Sequence, residues 1–147
     1  MNYRETYQNW QSDPEAYWLD QAKAIDWDVA PSRALFDLGD DLFEWYADAK
    51  VNGCYNAVDR HVKNGRADQV AIIHDSPITG TQTKITYAEL QTRVASLAGA
   101  LVARGVTKGD RVLSFMAMGP EAREAVLGWG RIGGGQSVVG GGCGASE

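Results

Sequence analysis

Hydrophobic and polar positions change period several times along the chain, and each change marks an element. Asp13-Pro14-Glu15 is a helix start: Asp can cap, Pro fits the first helical position, and Glu complements the dipole. Tyr17, Trp18, Gln21, Ala22 and Ile25 follow at helical spacing, with the apolar members on one stripe. Trp10, Trp18, Trp27 and Trp45 crowd the first fifty residues. The spacing there predicts a helical, aromatic-rich arm whose tryptophans anchor it to a larger body. Residues 55–64 predict a short amphipathic helix stopped by Gly65 at the C′ position. Residues 70–73 read as a buried strand, 77–80 as a turn and 84–86 as the close of a hairpin. Thr86 with Glu89 three residues on is a capping box. Tyr87, Leu90, Val94, Leu97, Ala98 and Leu101 then mark one face of a helix that Gly105 ends. A strand at 111–116, a helix from Pro120 to about 131 and a strand at 136–139 complete the pattern. The alternation predicts an α/β fold, an incomplete parallel sheet with crossover helices behind an α-rich arm.

Composition narrows the function classes. With 44% hydrophobic and 22% charged residues the chain reads as an ordinary globular protein. No apolar run approaches the roughly 20 residues of a membrane helix. The N-terminus lacks the apolar segment of a secretory signal, so a cytoplasmic location and no membrane partner are expected. Cys54 and Cys143 form no CxxC pair, and free thiols are expected rather than a disulfide or zinc site. Residues 1–50 carry a net −7 and residues 51–147 a net +2. Phosphate-rich polymers are repelled by the first part and barely attracted by the second, which argues against nucleic-acid binding.

Candidate chemistry is sparse. Gly128-Trp-Gly130-Arg-Ile-Gly133 spells G-x-G-x-x-G. A dinucleotide fingerprint must follow a strand and open a helix, whereas this one follows a helical stretch and leads into a strand. His61 and His74 have no nucleophile or carboxylate at triad spacing and read as structural. Glu121 and Glu124 serve the first turn of a helix. Ser76-Pro77 and Thr79-Gly80 are turn residues.

The chain also strings together Cys-Tyr-Asn-Ala-Val-Asp-Arg-His (54–61), Asp-Ser-Pro-Ile-Thr-Gly (75–80) and Ile-Thr-Tyr-Ala-Glu-Leu (85–90). Lys-Gly-Asp-Arg-Val (108–112), Arg-Ile-Gly (131–133) and Ser-Val-Val (137–139) follow. In order and spacing this resembles the opening of the short-chain acyl-CoA synthetases of the adenylate-forming family. The propionate-activating members are nearest, the acetate-activating members next. The resemblance implies residues 1–53 as the helical lead-in and 54–147 as the truncated start of the AMP-binding domain.

It further implies a two-step ligase reaction. A carboxylate, propionate or acetate, attacks the α-phosphate of ATP to give an acyl-adenylate and pyrophosphate; the thiol of coenzyme A then displaces AMP. ATP, Mg²⁺ and coenzyme A are thus the cofactors implied for a full-length enzyme, with none expected to bind this chain tightly. The family draws its phosphate loop and its lysine from segments with no counterpart here, since none of the five lysines follows a Ser/Thr/Gly-rich loop. No catalytic residue is carried over. Gly141 and Gly142 match a glycine pair that lies near the coenzyme A nucleotide in the family, where small residues let a ligand approach the backbone.

The last thirty residues depart from the family pattern. Gly128, Trp129, Gly130, Gly134, Gly135, Gln136, Gly140 and Cys143 stand where Ala, Cys, Ala, Ala, Val, His, Phe and Phe are expected. Most of these exchanges need a single codon base changed to G, which points to altered or misread DNA. Glycines in a helix interior cost on the order of 1 kcal/mol each against alanine, so a frayed last helix and strand are expected. The rival reading is a non-catalytic remnant or protein-interaction module, whose unfinished sheet edge predicts self-association.

Overall fold

The computed structural model describes residues 2–117 and 119–140, and these fall into two compact units, 1–51 and 52–147. In the first, α1 (Tyr3–Ser12) begins at a capping box: the Asn2 side chain accepts from the Glu5 N–H while the Glu5 carboxylate accepts from the Asn2 N–H, both at 3.0 Å. Asp13 ends α1 and caps α2 (Pro14–Ala22), accepting the Ala16 N–H at 3.0 Å with Pro14 behind it, as the sequence predicts. The helical stripe stops at Ala22, however, and Ile25 lies beyond the helix. Trp27 donates its indole N–H to the Ala22 carbonyl at 2.8 Å, tying the exit of α2.

The rest of this arm is not helical. β1 (Leu35–Gly39) and β2 (Leu42–Trp45) form an antiparallel hairpin. Its turn places Gly39, Asp40 and Asp41 in the left-handed region at φ 80°, 52° and 58°. Asp tolerates that region because its short side chain bonds locally, so Gly-Asp-Asp serves where Asn-Gly would be the stronger signal. The hairpin brings Trp45 edge-on to Trp18 (centroids 5.4 Å, 77°) and lets the Tyr46 hydroxyl donate to the Trp18 carbonyl at 3.0 Å. Trp10 meets the Tyr7 ring and Trp27 the Tyr46 ring, so the four tryptophans share aromatic neighbours within the arm.

In the second unit, residues 55–66 form a helical segment with wide turns at Tyr55–Asp59 and Val62–Arg66. The Arg60 N–H reaches back five residues to the Tyr55 carbonyl. Gly65, at φ 79°, breaks it where the sequence predicts. β3 (Val70–Ser76) and β4 (Thr81–Thr86) pair antiparallel through the turn at Gly80. α3 (Tyr87–Ala103) starts at the predicted box, with the Thr86 N–H donating to Glu89 Oε2 at 2.8 Å. It ends in a Schellman motif: Gly105, at φ 90°, donates to the Val102 carbonyl and Val106 to that of Leu101. β5 (Arg111–Met116), α4 (Pro120–Ile132) and β6 (Gly135–Gly140) form a βαβ unit with parallel strands.

The predicted α/β pattern is realised as small incomplete sheets, with the 70–86 hairpin present as β3 and β4. Among the described residues β3 pairs only with β4, and the parallel sheet is β5 and β6 alone. The 77–80 turn is too short for a crossover, so it returns the chain antiparallel. The core of this unit is Cys54, Val58, Ile85, Leu90 and Val94, with Ala71, Ile72 and Leu127 packed against it.

α4 and β6 form despite their glycines, contrary to the expected fraying. Gly128 lets α4 approach α3: a Cβ there would meet Leu97 Cδ2 at 3.3 Å. A Cβ at Gly130 would meet nothing within 4 Å. Gly130→Ala is therefore expected to raise stability by about 1 kcal/mol, read as a higher urea midpoint. Gly128→Ala should gain less, because Leu97 must shift.

Candidate functional site

Three of the motif strings, 54–61, 108–112 and 131–133, meet in space at the C-terminal end of α4. Asp59, on the helical segment, and Arg131, in the last turn of α4, are 72 positions apart. Arg131 Nη2 donates to both Asp59 carboxylate oxygens, at 2.8 and 2.6 Å. Gln91 of α3 adds a third donor to Asp59 Oδ1 at 2.7 Å, and Asn52 Nδ2 donates to the Arg131 carbonyl at 3.1 Å. The side chains of Asp59 and Arg131 are only 17% and 27% exposed. Cys54 lies against this pair; burial pushes its thiol up, with Arg131 opposing, so it is a packing residue rather than a nucleophile.

The Lys-Gly-Asp segment is a second junction. Asp110 accepts from the Thr107 N–H (2.7 Å) and hydroxyl (2.9 Å), bonds that hold its carboxyl below the usual range. Gly109, at φ 93°, donates to the Gly133 carbonyl, and Gly135 donates to that of Asp110 at 2.8 Å. Gly133 itself is left-handed, at φ 84°, and ends α4. The G-x-G-x-x-G run thus occupies the last turns and C-terminus of a helix, where no free N–H groups face a pyrophosphate.

His61 is half-buried against the Tyr87 ring (centroids 4.8 Å), with Arg66 Nη1 at 3.3 Å from its Nδ1. Partial burial, then the charges of Arg66 and Arg60, hold the imidazole below its ordinary value. The neutral ring is therefore the one the fold favours. Stability is expected to be flat above the unfolded value of 6.5 and to fall as pH drops below it through the lowered folded value. Urea midpoints measured across that window should fall for the native chain and fall less for His61→Gln. His74 lies half-buried within β3, away from this cluster in sequence and pairing. Glu124 accepts from Arg93 of α3 at 3.2 Å, a surface tie. Among the described residues no group of three or more His, Cys, Asp and Glu could hold a metal ion. No helix there is long and apolar enough to cross a membrane.

Ligands of open α/β sheets sit beyond the carboxyl ends of the strands. Here Met116 of β5 and Gly140 of β6 are paired at that end, beside the N-terminus of α4 at Pro120. Gly141 and Gly142 follow Gly140 directly but lie outside the described residues. Met116, Ala117, Gly119, Pro120 and Glu121 offer no cation to a triphosphate and a single carboxylate to Mg²⁺, so these residues do not fit the pair and no step of phosphate chemistry runs through them. What the sequence missed is the Asp59–Arg131 pair; its signal was that both residues sit inside the motif strings.

Comparison with known proteins agrees with this arrangement. Residues 3–57 match the family model described as acetyl-coenzyme A synthetase N-terminus, and residues 58–147 match the AMP-binding enzyme model. The chain is 45% identical to an acetyl-coenzyme A synthetase of Magnetococcus marinus, covering 95% of this chain and 22% of that protein. It is 42% identical to the mitochondrial acyl-CoA synthetase short-chain family member 3 of Bos taurus, covering 92% and 20%. The structure superposes on acetoacetyl-CoA synthetase from Streptomyces lividans with a TM-score of 0.81 and 27% identity, over 94% of this chain and 21% of that one. The chain spans about a fifth of the length of the curated relatives it matches.

Proposed function

Because the chain belongs to the AMP-binding enzyme family, we propose that it is the N-terminal part of an ATP-dependent acyl-CoA ligase with propionate as its preferred acid. Residues 1–53 form the lead-in and 54–147 the start of the AMP-binding domain. In a complete enzyme the carboxylate attacks the α-phosphate of ATP, pyrophosphate leaves, and the coenzyme A thiol displaces AMP from the acyl-adenylate. Mg²⁺, the phosphate loop and the lysine belong to the remaining four-fifths. The coenzyme A role proposed for Gly141 and Gly142 rests on their match to the glycine pair of the family pattern.

One observation carries this reading. The motifs shared with the family fold into a scaffold, in which Asp59, Arg131, Gly109 and Gly133 lock α4 between β5 and β6. That is what an opening segment must supply if the chemistry comes later in the chain. The propionate preference rests on Tyr17-Trp18-Leu-Asp-Gln-Ala-Lys-Ala-Ile-Asp-Trp27 and on the 75–80 turn. A graft tests the role: these residues replace the matching opening of the Magnetococcus acetyl-coenzyme A synthetase. The chimera is expected to form acyl-CoA, and a folded but inactive chimera would contradict the proposal.

A second reading, a non-catalytic remnant, has one observation in its favour. Trp129 stands where the family pattern has Cys, and its buried indole N–H has no hydrogen-bond partner among the described residues. Buried indoles ordinarily find an acceptor.

A further inference from the structure

The first unit holds a cleft of ≈ 570 Å³ that the proposed reaction does not use. Trp10, Trp18 and Trp45 line it with Pro14, Asp13 and Glu15. Trp18 and Trp45 meet edge to face, with Tyr17 beside Trp18 and Tyr46 beside Trp45, so the cleft wall is aromatic. Trp45 is 52% and Trp10 36% exposed. A volume of this size, apolar walls and a few fixed polar groups are the attributes of a small-molecule site.

The two carboxylates are fixed by the fold. Asp13 accepts the Ala16 N–H at 3.0 Å, and Glu15 Oε1 accepts the Ala34 N–H at 2.7 Å. Among the described residues no Lys or Arg lines the cleft to offset them. The surrounding fifty residues carry a net −7. ATP, coenzyme A and a carboxylate are all anions, so this field repels every reactant of the proposed ligase. Ring faces present negative electrostatic potential, and together with the two carboxylates they favour a positive charge on a weakly hydrated apolar body.

We propose that this cleft binds an organic cation of the quaternary-ammonium class, with its charge over the tryptophan faces beside Asp13 and Glu15. Tryptophan is the strongest of the aromatic side chains for such contacts.

The test titrates the full chain with choline and, separately, with its uncharged carbon isostere dimethylbutanol. Binding is followed through the indole Nε1–H resonances, assigned with single Trp→Phe variants. Choline is expected to shift Trp10, Trp18 and Trp45 saturably, to leave Trp27 unmoved, and to bind about five- to thirty-fold tighter than the isostere. Glu15→Gln keeps an acceptor for the Ala34 N–H while removing the charge. It should weaken choline by about three- to ten-fold and leave the isostere unchanged. Trp45→Leu, with its helical signal intact, should abolish the choline preference. Equal affinity for choline and isostere overturns the proposal in favour of an apolar occupant, such as a side chain of a partner or of a longer chain. Absence of saturable shifts overturns it in favour of simple packing. Neither readout involves ATP or coenzyme A, so the ligase reading stands or falls separately.

Discussion

Asp59→Ala is expected to destabilise the second unit by about 2 kcal/mol, below the range for breaking a fully buried ion pair because the two side chains keep 17% and 27% exposure. The reason is what it leaves behind. Arg131 donates twice to Asp59, while its Nε is buried without a partner among the described residues. Removing Asp59 leaves a part-buried guanidinium without its counter-charge and with only the Cys54 thiol, a weak acceptor, beside it. Gln91 loses its acceptor in the same step. The Arg131→Met variant should cost less, because it leaves a smaller carboxylate that Gln91 still contacts. The double variant Asp59→Leu with Arg131→Met should recover most of the loss, since replacing both members by apolar groups is often neutral. Urea unfolding of the three variants checks this. A double variant no more stable than Asp59→Ala would show that the two side chains do not act as a pair.

Leu90→Ala is expected to cost about 3 kcal/mol, within the range for deleting a buried leucine. The core here is small. Leu90 packs with Cys54, Val58, Ile85 and Val94, which come from the helical segment, β4 and α3. The void therefore opens where three elements meet, and none of them can close it alone. For a unit of this size the loss corresponds to a fall in Tm of roughly 10 to 20 °C. Ile85→Val, which removes one methylene from a residue 2% exposed, should cost only about 1 kcal/mol. Thermal scans followed by circular dichroism give both numbers. A Leu90→Ala loss no larger than that of Ile85→Val would mean that the cluster is not the core that holds this unit.

Local signals in the sequence are realised where short-range physics decides the outcome. The Thr86–Glu89 box, the Asp13 cap and the Gly65 and Gly105 stops need only neighbouring residues, and each is present in the structure. The β1–β2 hairpin carries a weak sequence signal, because its aromatic strands sit in a segment dense in tryptophan and Gly-Asp-Asp marks a turn less strongly than Asn-Gly. Strand pairing was legible only in part. The 70–86 hairpin is predicted and present as β3 and β4, whereas the separation of β3 from the β5–β6 pair depends on tertiary partners that a period-2 pattern does not encode.

The candidate site shows the same division. The Asp59–Arg131 pair spans 72 positions, so no spacing rule reaches it. The motif strings were recognisable as sequence, yet their residues prove to be joints of the scaffold: Asp110 fixes a turn, Gly133 ends a helix, and Asp59 clamps α4. Gly141 and Gly142 lie outside the described residues, and their role beside coenzyme A remains a proposal.

The central claim is that this chain opens an acyl-CoA ligase. Its most direct test is carboxylate-dependent ATP–pyrophosphate exchange by the product of the complete reading frame, with the 147-residue chain measured alongside. The account predicts exchange from the complete product, faster with propionate than with acetate, and none from the 147 residues alone. Absence of exchange from the complete product with either acid, or measurable exchange from the short chain, would contradict it.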